Sequence, residues 1–325
     1  MGAAWEEAFA ADRPDGELAM SAYLGMPDPT PTGIPKLDQL LGGGMTRGVT
    51  VVGGGPGAGK TVTACLSAAQ MAMRGQRVVY ASYETAWEVV QLRCASAWSN
   101  CYGDMLGIEP FSWSSVANGG YRAAQRRYDG LSRRELSRYM TWDAMDPVAK
   151  ALTLWDEGPG RNLAVLTSDN SVSDLCELCQ EIRREDGQPP VLIVDYIQIV
   201  PTGARRQQDD YERVTEVMGT LRTHAYSEMG GHVLALSSLR KVTPAERKDG
   251  PALDWFRGSG HIGYDAEQAV ILTVDQRKDH ETGLMVPSVA ANGATEGRMT
   301  IVKNRTGASG TSVATLLYGW CSYIG

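Results

Sequence analysis

The chain has 325 residues, of which 43% are hydrophobic and 21% charged, an ordinary composition for one large or two small globular domains. Lys and Arg total 31 against 38 Asp and Glu, so the net charge is −7 and a generally basic nucleic-acid coat protein is excluded. Fibres, membrane-spanning bundles and disulfide-rich miniproteins are excluded as well.

The first 32 residues differ in character from the rest of the chain. A short helical pattern carries Trp5 and Phe9, and three prolines between positions 27 and 31 favour an extended linker. No apolar core of signal-peptide length occurs near the start, so we expect a cytoplasmic protein with reduced thiols. The simplest organisation is an N-terminal arm over 1–32 and a single domain over 33–325.

Short apolar runs then alternate with segments of helical periodicity. Helices are predicted at 61–74, 173–184 and 211–228. Strands are predicted at 48–52, 77–82, 163–167, 191–195, 232–237, 269–274, 299–302 and 314–318. This alternation predicts an α/β fold with a mostly parallel sheet flanked by helices. Short turns between the last strands predict an antiparallel extension at one edge.

Cys176 and Cys179 form a C-x-x-C pair within the predicted helix 173–184. They share an apolar helical face with Leu175 and Ile182, and no second Cys or His pair follows at zinc-ligand spacing. We therefore predict a pair in the core rather than a metal or redox site.

The strongest motif is a complete G-x-x-x-x-G-K-T between a predicted strand and a predicted helix. Its glycines let backbone amides converge on phosphate oxygens, and the amino end of the helix points the same way. Lys60 would bind the β- and γ-phosphates, and the hydroxyl of Thr61 would bind Mg²⁺. The predicted nucleoside-triphosphate site comprises Gly54, Gly55, Pro56, Gly57, Ala58, Gly59, Lys60 and Thr61.

Two acids follow buried strands where α/β sheets bind ligands. Asp195 ends four apolar residues and is the expected second metal-side group, although an Asp that caps the next turn is the competing interpretation. Glu84 follows the strand at 77–82 and would orient water or accept a proton near the γ-phosphate. The pattern alone leaves open whether Glu84 is a solvated loop acid.

Several segments together resemble the C-terminal motor domain of DnaB-type replicative helicases, within the RecA-like P-loop ATPases. T-G-I-P-K-L-D-Q-L-L-G-G-G at 32–44 resembles the lead-in of the wider group, and V-D-Y-I-Q at 194–198 resembles the helicase D-Y-L-Q. Further segments match in the family's order: V-L-A-L-S-S-L-R-K at 233–241, R-G-S-G-H-I-G-Y-D-A at 257–266 and I-V-K-N-R-T-G at 301–307. The resemblance covers roughly 33–320 and implies a RecA-like core.

The resemblance implies hydrolysis of ATP with Mg²⁺ by a hexameric ring. Glu84 matches the catalytic glutamate, Asp195 matches the metal-side acid, and Gln198 of the matched segment is counted with the nucleotide-binding residues. Lys303 and Arg305 match the pair that enters the neighbouring subunit's ATP site. Without the resemblance, both would be interpreted as solvated charges on an edge strand.

Two departures from the family pattern stand out. The family's sensor glutamine is Ser238 here, a shorter group, which puts in doubt the coupling between the γ-phosphate and the DNA loops. A chain of this length is also expected to lack the family's N-terminal collar domain. Trp5 and Phe9 would then belong either to a helix that docks on the adjacent subunit or to a frayed terminus.

Two basic loops follow predicted strands at the family's pore-loop positions. Gly or Pro in each would let backbone amides join the side chains on phosphates, without base specificity. For each cation alone, a solvated surface charge is the competing interpretation, and an arginine-rich stretch at 122–138 is expected to form an exposed face or a subunit contact. The predicted DNA-binding residues are Arg205, Arg206, Arg240, Lys241, Arg247 and Lys248.

The leading hypothesis is an ATP-driven ring helicase on single-stranded DNA that acts in replication, with a separate loader or primase as further partners and no membrane partner. The alternatives are a RecA- or KaiC-like assembly switch without unwinding activity and a strand-exchange recombinase. The missing collar and Ser238 favour the switch. The D-Y-I-Q and R-G-S-G segments and the basic loops favour the motor.

Overall fold

The computed structural model describes residues 28–116, 147–167, 169–203, 209–228, 231–291, 293–318 and 322–324. The strands of this part of the chain are β1 (Gly48–Gly54), β2 (Val78–Ser82), β3 (Leu163–Thr167), β4 (Val191–Asp195), β5 (His232–Ser238), β6 (Gln268–Val274), β7 (Gln276–Lys278), β8 (Met285–Pro287), β9 (Thr295–Asn304), β10 (Ser312–Tyr318) and β11 (Ser322–Ile324). The helices that position the site are α1 (Pro35–Leu41), α2 (Lys60–Met73), α3 (Trp87–Leu106), α4 (Pro147–Glu157), α5 (Val172–Asp186), α6 (Asp210–Thr223), α7 (Pro244–Asp249) and α8 (Ser259–Asp265).

Nine strands form one sheet in the order β11-β10-β9-β6-β1-β5-β4-β2-β3. From β6 to β3 all neighbours are parallel, and β9, β10 and β11 add antiparallel strands beside β6. All eight predicted strands are present, so the predicted α/β fold with an antiparallel edge is confirmed. The three-residue strands β7, β8 and β11 were not predicted, because such short strands carry no measurable periodicity.

Helices cover both faces of the sheet, which explains the continuous apolar runs in the sequence. Every residue of β1, β2 and β4 is buried. Val52 and its neighbours on one face pack against α1 to α4, whereas Val49 and Val51 on the other face pack against α5, α6 and α8. The carboxyl ends of the parallel strands therefore emerge together at one edge between two helical layers.

The C-x-x-C pair lies inside the second of these layers. Cys176 and Cys179 are buried on α5 beside Leu175 and form no disulfide within the described ranges, and burial raises the pKa of the Cys179 thiol. The described residues contain no group of three His, Cys, Asp or Glu side chains that could hold a metal ion. The predicted core pair is confirmed. No helix in the described ranges is long and apolar enough to cross a bilayer.

The segment that leads into the domain is fastened by one carboxylate. Asp38 accepts hydrogen bonds from the backbone N–H and the hydroxyl of Thr32, both at 2.6 Å, and from the N–H of Gly33 at 3.2 Å. Ser67 of α2 donates to the Thr32 carbonyl at 2.6 Å. The contact of Thr32 with Asp38 thus holds the segment at 32–44 against α2. α2 is the helix that follows the phosphate-binding loop at 54–61, called the phosphate loop below. Trp5, Phe9 and the stretch 122–138 lie outside the described residues, and the division at residue 32 stays a prediction.

Candidate functional site

The phosphate loop lies between the carboxyl end of β1 and the amino end of α2. β1 ends at Gly54 and α2 begins at Lys60. Gly57 and Gly59 have φ angles of 74° and 94°, in the left-handed region that glycine adopts without strain. The first helical hydrogen bond of α2 runs from the N–H of Thr63 to the Gly59 carbonyl at 2.8 Å. The amides that precede Thr63 in the helix therefore point toward an anion at this end.

Lys60 folds back over this loop. Its Nζ donates to the carbonyl oxygens of Gly54 at 2.9 Å and Gly55 at 3.2 Å. Burial lowers the pKa of the ammonium group, and the negative charges of Asp195 and Glu84 oppose that shift. A phosphate entering the loop would meet a cation that two carbonyl oxygens already hold in place.

Asp195, at the end of β4, is the most deeply buried acid of the site, with 1% of its surface exposed. Its Oδ2 accepts hydrogen bonds from the hydroxyls of Thr61 and Tyr80, each at 3.0 Å. Burial raises the pKa of the carboxyl group, while these two hydrogen bonds lower it. The two residues predicted to bind the metal, Thr61 and Asp195, are therefore in direct contact.

Two buried polar atoms near the loop have no hydrogen-bond partner among the described residues: Oδ1 of Asp195 and Oγ of Ser238. Ser238 pairs in register with Gly54, so it lies beside the first glycine of the loop. A buried carboxylate oxygen without a donor suits a hydrated divalent cation, which takes oxygen ligands and keeps several waters. The residues present therefore fit Mg²⁺ carried by a nucleotide.

Glu84 lies on the turn that follows β2. Ser82 and Thr85 close this turn, since the Ser82 hydroxyl donates to the Thr85 carbonyl at 2.6 Å and accepts from its N–H at 3.2 Å. Glu84 is exposed. Its negative charge opposes the lowering of the Lys60 pKa by burial and adds to the raising of the Asp195 pKa. The structure thus brings Glu84 to the rim of the site, with its carboxylate open to water.

Gln198 lies against the carboxyl end of β5. Its Nε2 donates to the Ser237 hydroxyl at 2.8 Å and the Arg257 carbonyl at 3.2 Å, and its Oε1 accepts from the N–H of Ser238 at 3.2 Å. The side chain is buried, with 3% of its surface exposed. The amide that the sequence assigned to nucleotide binding is thus engaged by protein groups and braces the end of β5 against the segment at Arg257.

Arg305 lies at the opposite edge of the sheet. Its N–H donates to the carbonyl of Glu267 at 3.1 Å, and the N–H of Glu267 donates to the carbonyl of Val49 at 2.8 Å. Val49 and Gly54 are five residues apart on β1, which corresponds to about 16 Å along a strand. The backbone of Arg305 is therefore separated from the phosphate loop of its own chain by most of the depth of the sheet.

Lys303 and Arg305 both contact the carboxyl end of α8. The Nζ of Lys303 donates to the carbonyl of Gly263 at 2.7 Å and to that of Ala266. The Nη2 of Arg305 donates to the carbonyl of Tyr264 at 2.6 Å. Cations are favourable at this end of a helix because its last carbonyls have no partners within the helix.

The predicted DNA-binding residues have different surroundings. Arg205 and Arg206 lie outside the described residues. Arg240 is ion-paired with Glu246 and Asp254, each at 2.7 Å, and it also donates to the Asp254 carbonyl. Arg240 is the principal cause that lowers the pKa of Glu246, to about 2. Its DNA contact stays a prediction, whereas the contacts in the structure hold its loop together.

Lys241, Arg247 and Lys248 are exposed around the short helix α7. Arg247 also lines a cavity of about 600 Å³ together with Gly55 of the phosphate loop and Trp255. A cavity of this size is typical of small-molecule sites. The basic loop and the phosphate loop therefore border the same space.

Two polar side chains that position the site were missed by the sequence analysis. Tyr80 is completely buried and bonds to Asp195. Gln268 is also completely buried and fastens the segment before β1 to the sheet. Its amide bonds to Thr46, Thr50, Leu41 and Gly44. The available signal was a polar residue within an otherwise apolar strand, because buried polar groups require partners.

Comparison with known proteins identifies the family. A family model described as the DnaB-like helicase C terminal domain matches residues 146–318, which is 173 of the 325 residues. The chain belongs to this family. A second model, described as the KaiC ATPase, matches residues 30–99 and so includes the lead-in and the phosphate loop. Membership of a P-loop ATPase family, together with the intact loop, means that the chain binds nucleotide.

The relatives include replicative helicases of bacteria. The chain is 25% identical over 253 residues to the replicative DNA helicase DnaC of Bacillus subtilis, a match that covers 78% of this chain and 48% of that protein. It is 23% identical over 267 residues to the replicative DNA helicase DnaB of Geobacillus stearothermophilus, covering 80% of this chain and 51% of that one. The chain thus spans about half the length of these relatives. A shorter match, 36% identical over 90 residues, covers 26% of this chain and 19% of the DNA repair protein RadA of Brucella abortus.

Two solved structures have the same fold. One, described as an ATPase domain, superposes with a TM-score of 0.70 at 18% identity, covering 96% of this chain and 99% of that one. The other, a DnaB-like replicative helicase from a study of its interactions with primase, gives a TM-score of 0.69 at 19% identity and covers 96% of this chain and 67% of that one. The predicted RecA-like core is confirmed.

Proposed function

We propose that this chain is an ATP-dependent DNA helicase of replication, which works as a hexameric ring on single-stranded DNA. The observation that carries the proposal is the division of the catalytic groups between two edges of one sheet. The phosphate loop, Asp195 and Glu84 occupy the carboxyl edge, whereas Arg305 occupies the amino edge. A head-to-tail ring brings these two edges together at every interface between subunits.

Within one subunit, the phosphate loop binds the triphosphate of ATP and Lys60 neutralises its terminal phosphates. Thr61 and Asp195 would hold Mg²⁺, which supplies further positive charge to the phosphates when it is bound. The exposed carboxylate of Glu84 orients the attacking water and accepts its proton. By donating to Oδ2, the hydroxyl of Tyr80 favours the ionised form of Asp195 and opposes the effect of burial on its pKa.

The remaining charge comes from the neighbouring subunit. The backbone of Arg305 is linked through Glu267 to Val49, which is about 16 Å along β1 from Gly54, a longer span than an arginine side chain reaches. In a head-to-tail ring its planar guanidinium stabilises the charge that develops on the adjacent subunit's γ-phosphate. Lys303 supports the same segment through the carbonyls of α8.

DNA passes through the bore of the ring. Lys241, Arg247 and Lys248 contact phosphates there, together with Arg205, Arg206 and Arg240. Arg247 and Gly55 line the same cavity, so the nucleotide bound at the phosphate loop and the contacts of Arg247 with DNA influence each other there. A net charge of −7 is compatible with this, because phosphate contacts depend on local potential. The bacterial relatives support a cytoplasmic location, with a separate loader or primase as partner.

A nucleotide-dependent assembly switch is the second candidate. The match of residues 30–99 to the KaiC model and the RadA relatives favour it. Addition of single-stranded DNA to the assembled ring distinguishes the two candidates, because a motor hydrolyses ATP faster on its track. An unchanged rate of ATP hydrolysis would favour the switch.

The decisive assay is strand displacement on forked DNA with ATP. We expect unwinding with ATP, none with a nonhydrolysable analogue, and none with the Lys60→Ala variant. A strand-exchange recombinase would pair strands without displacing one from the fork. An assembled ring that hydrolyses ATP on DNA and leaves the fork intact contradicts the helicase proposal.

A further inference from the structure

Glu267 connects Arg305 to the centre of the sheet. Only 12% of its side chain is exposed, and its carboxylate Oε1 lies 3.2 Å from the Nε of Arg305. The Tyr226 hydroxyl lies against Gly48 together with Cγ of Glu267, and it donates to the Arg47 carbonyl at 3.4 Å. Burial and the neighbouring Glu267 carboxylate raise the pKa of Tyr226 to about 12. Glu267 therefore holds the guanidinium from one side and packs beside a phenol.

The backbone of Glu267 adds two further constraints. Its N–H donates to Val49 and its carbonyl accepts from the N–H of Arg305. Gly48, which precedes Val49, has no room for a side chain, since a Cβ there would lie 2.6 Å from Cγ of Glu267. The side chain of Glu267 thus packs directly against β1, and this contact fixes its carboxylate relative to the sheet.

The guanidinium of Arg305 is held on two of its three nitrogens. Nε faces Glu267 and Nη2 donates to the Tyr264 carbonyl at 2.6 Å. Within the described residues Nη1 has no hydrogen-bond partner. Since a guanidinium is planar and rigid, holding Nε and Nη2 sets the direction of the two N–H groups on Nη1.

We propose that Glu267 is a positioning residue for the trans-acting arginine: it orients Arg305 so that Nη1 donates to the γ-phosphate bound by the neighbouring subunit. This inference rests on the proposed trans role of Arg305. Under this proposal, all of the effect of Glu267 on hydrolysis passes through the guanidinium that its carboxylate holds. The half-buried ion pair provides this orientation before the subunits meet, so less conformational freedom is lost at the interface.

The experiment is a double-mutant cycle on the assembled ring, with ATP turnover and nucleotide affinity measured for each variant. The variants are Glu267→Ala, Arg305→Ala and the combination of both. Misplacement of a catalytic group by about 1 Å can cost up to about 10²-fold in rate, so we expect Glu267→Ala to lower kcat about tenfold or more. KM and the affinity for ATP should stay unchanged, because the phosphate loop is intact. In the Arg305→Ala background, Glu267→Ala should have no further effect on kcat.

Two more variants separate positioning from stability. Glu267→Gln keeps an acceptor for Nε and should recover most of the lost kcat. Glu267→Met has a similar length and no acceptor for Nε, and it replaces Glu267→Ala in the cycle if the alanine variant does not fold. Asp186→Ala removes an exposed ion pair with Arg77, 2.8 Å long and remote from Arg305, and should leave kcat unchanged.

The outcomes distinguish this inference from the proposed function. Full turnover by Arg305→Ala would refute the trans role itself. Loss of turnover in Arg305→Ala with normal turnover in Glu267→Ala would overturn only the inference about Glu267. A further loss of kcat in the double variant would also overturn it, and so would faster turnover in Glu267→Ala, which would mean that Glu267 restrains the arginine.

Discussion

Replacement of Tyr80 by Phe removes a single hydroxyl from the wall of the nucleotide site. Tyr80 is completely buried on β2, and its hydroxyl donates to Oδ2 of Asp195 at 3.0 Å. Thr61 donates to the same oxygen. Because Phe fills the same volume without the hydroxyl, the change leaves the packing intact and isolates one hydrogen bond to a carboxylate.

The loss in stability follows from this one hydrogen bond, because the packing is unchanged. A hydrogen bond to a charged group contributes about 1.5–3 kcal/mol to stability, net of the contacts with water that it replaces. The free energy of unfolding should therefore fall by about that amount, which lowers Tm by about 2–4 °C in a chain of this size.

The effect on binding depends on pH. Burial raises the pKa of Asp195 and the Tyr80 hydrogen bond lowers it, so Tyr80→Phe moves that pKa further upward. Only the ionised carboxylate can support a cation, so affinity for Mg²⁺ and ATP falls as pH falls through this pKa. In the variant the fall should begin at a higher pH, and the loss of affinity should be larger at pH 6 than at pH 8.

Thermal unfolding and titration calorimetry with ATP, with and without Mg²⁺, test this reasoning. Tyr83→Phe is the matched control, because the Tyr83 hydroxyl donates to the Asn170 carbonyl at 2.7 Å, away from the acid. The control should lose some stability and keep its affinity for Mg²⁺ and ATP at every pH. If Tyr80→Phe and Tyr83→Phe show the same pH profile of affinity, the hydroxyl of Tyr80 does not tune Asp195.

Three further predictions concern single groups. Glu84→Gln should lower kcat by about 10²–10⁴-fold while ATP still binds, since the variant cannot accept the proton; single-turnover hydrolysis at the wild-type rate would mean that another group positions the water. Asp38→Ala should lower the free energy of unfolding by about 2–4 kcal/mol in urea, because it removes three hydrogen bonds, whereas the exposed Asp28→Ala should change it by less than about 0.5 kcal/mol. Replacement of both Cys176 and Cys179 by Ala should lower Tm through lost packing and leave ATP turnover intact, and a chelator should not change the Tm of the wild type; a drop in Tm with chelator would indicate a metal site.

The parts of the molecule that repeat a local pattern were predictable from the sequence. The strands at 191–195 and 163–167 were predicted with the bounds that the structure has. The strand at 191–195 is buried on both faces, so it appears as an apolar run with turn residues beside it. The phosphate loop was predictable because its spacing and its flanking elements occur together. The close contact of Thr61 with Asp195 then follows because β1 and β4, on either side of β5, end at the same edge of the sheet.

The contacts that depend on sheet order were not predictable in this way. Gln198 occurs in a segment that resembles the helicase pattern, and its amide bonds to Ser237 and to the Arg257 carbonyl, while its contact with nucleotide stays a prediction. A sequence pattern shows that a polar residue follows a strand. It does not show which neighbouring residue its side chain contacts. Arg240 is a similar case, because the two carboxylates that neutralise it are 6 and 14 positions further along the chain. In both cases tertiary contacts decide the role of the residue.

The antiparallel edge has a chemical consequence for a protein of this family. A further parallel strand would have ended at the same edge as β1, and a basic residue at its end would have lain near its own phosphate loop. β9 instead runs opposite to β6, so its carboxyl end emerges at the amino edge, where Arg305 meets Glu267. The direction of this one strand therefore separates the arginine from the nucleotide of its own subunit. Under the proposed arrangement, hydrolysis then depends on contact between subunits, and a lone subunit can bind ATP without the full set of charges that cleaves it.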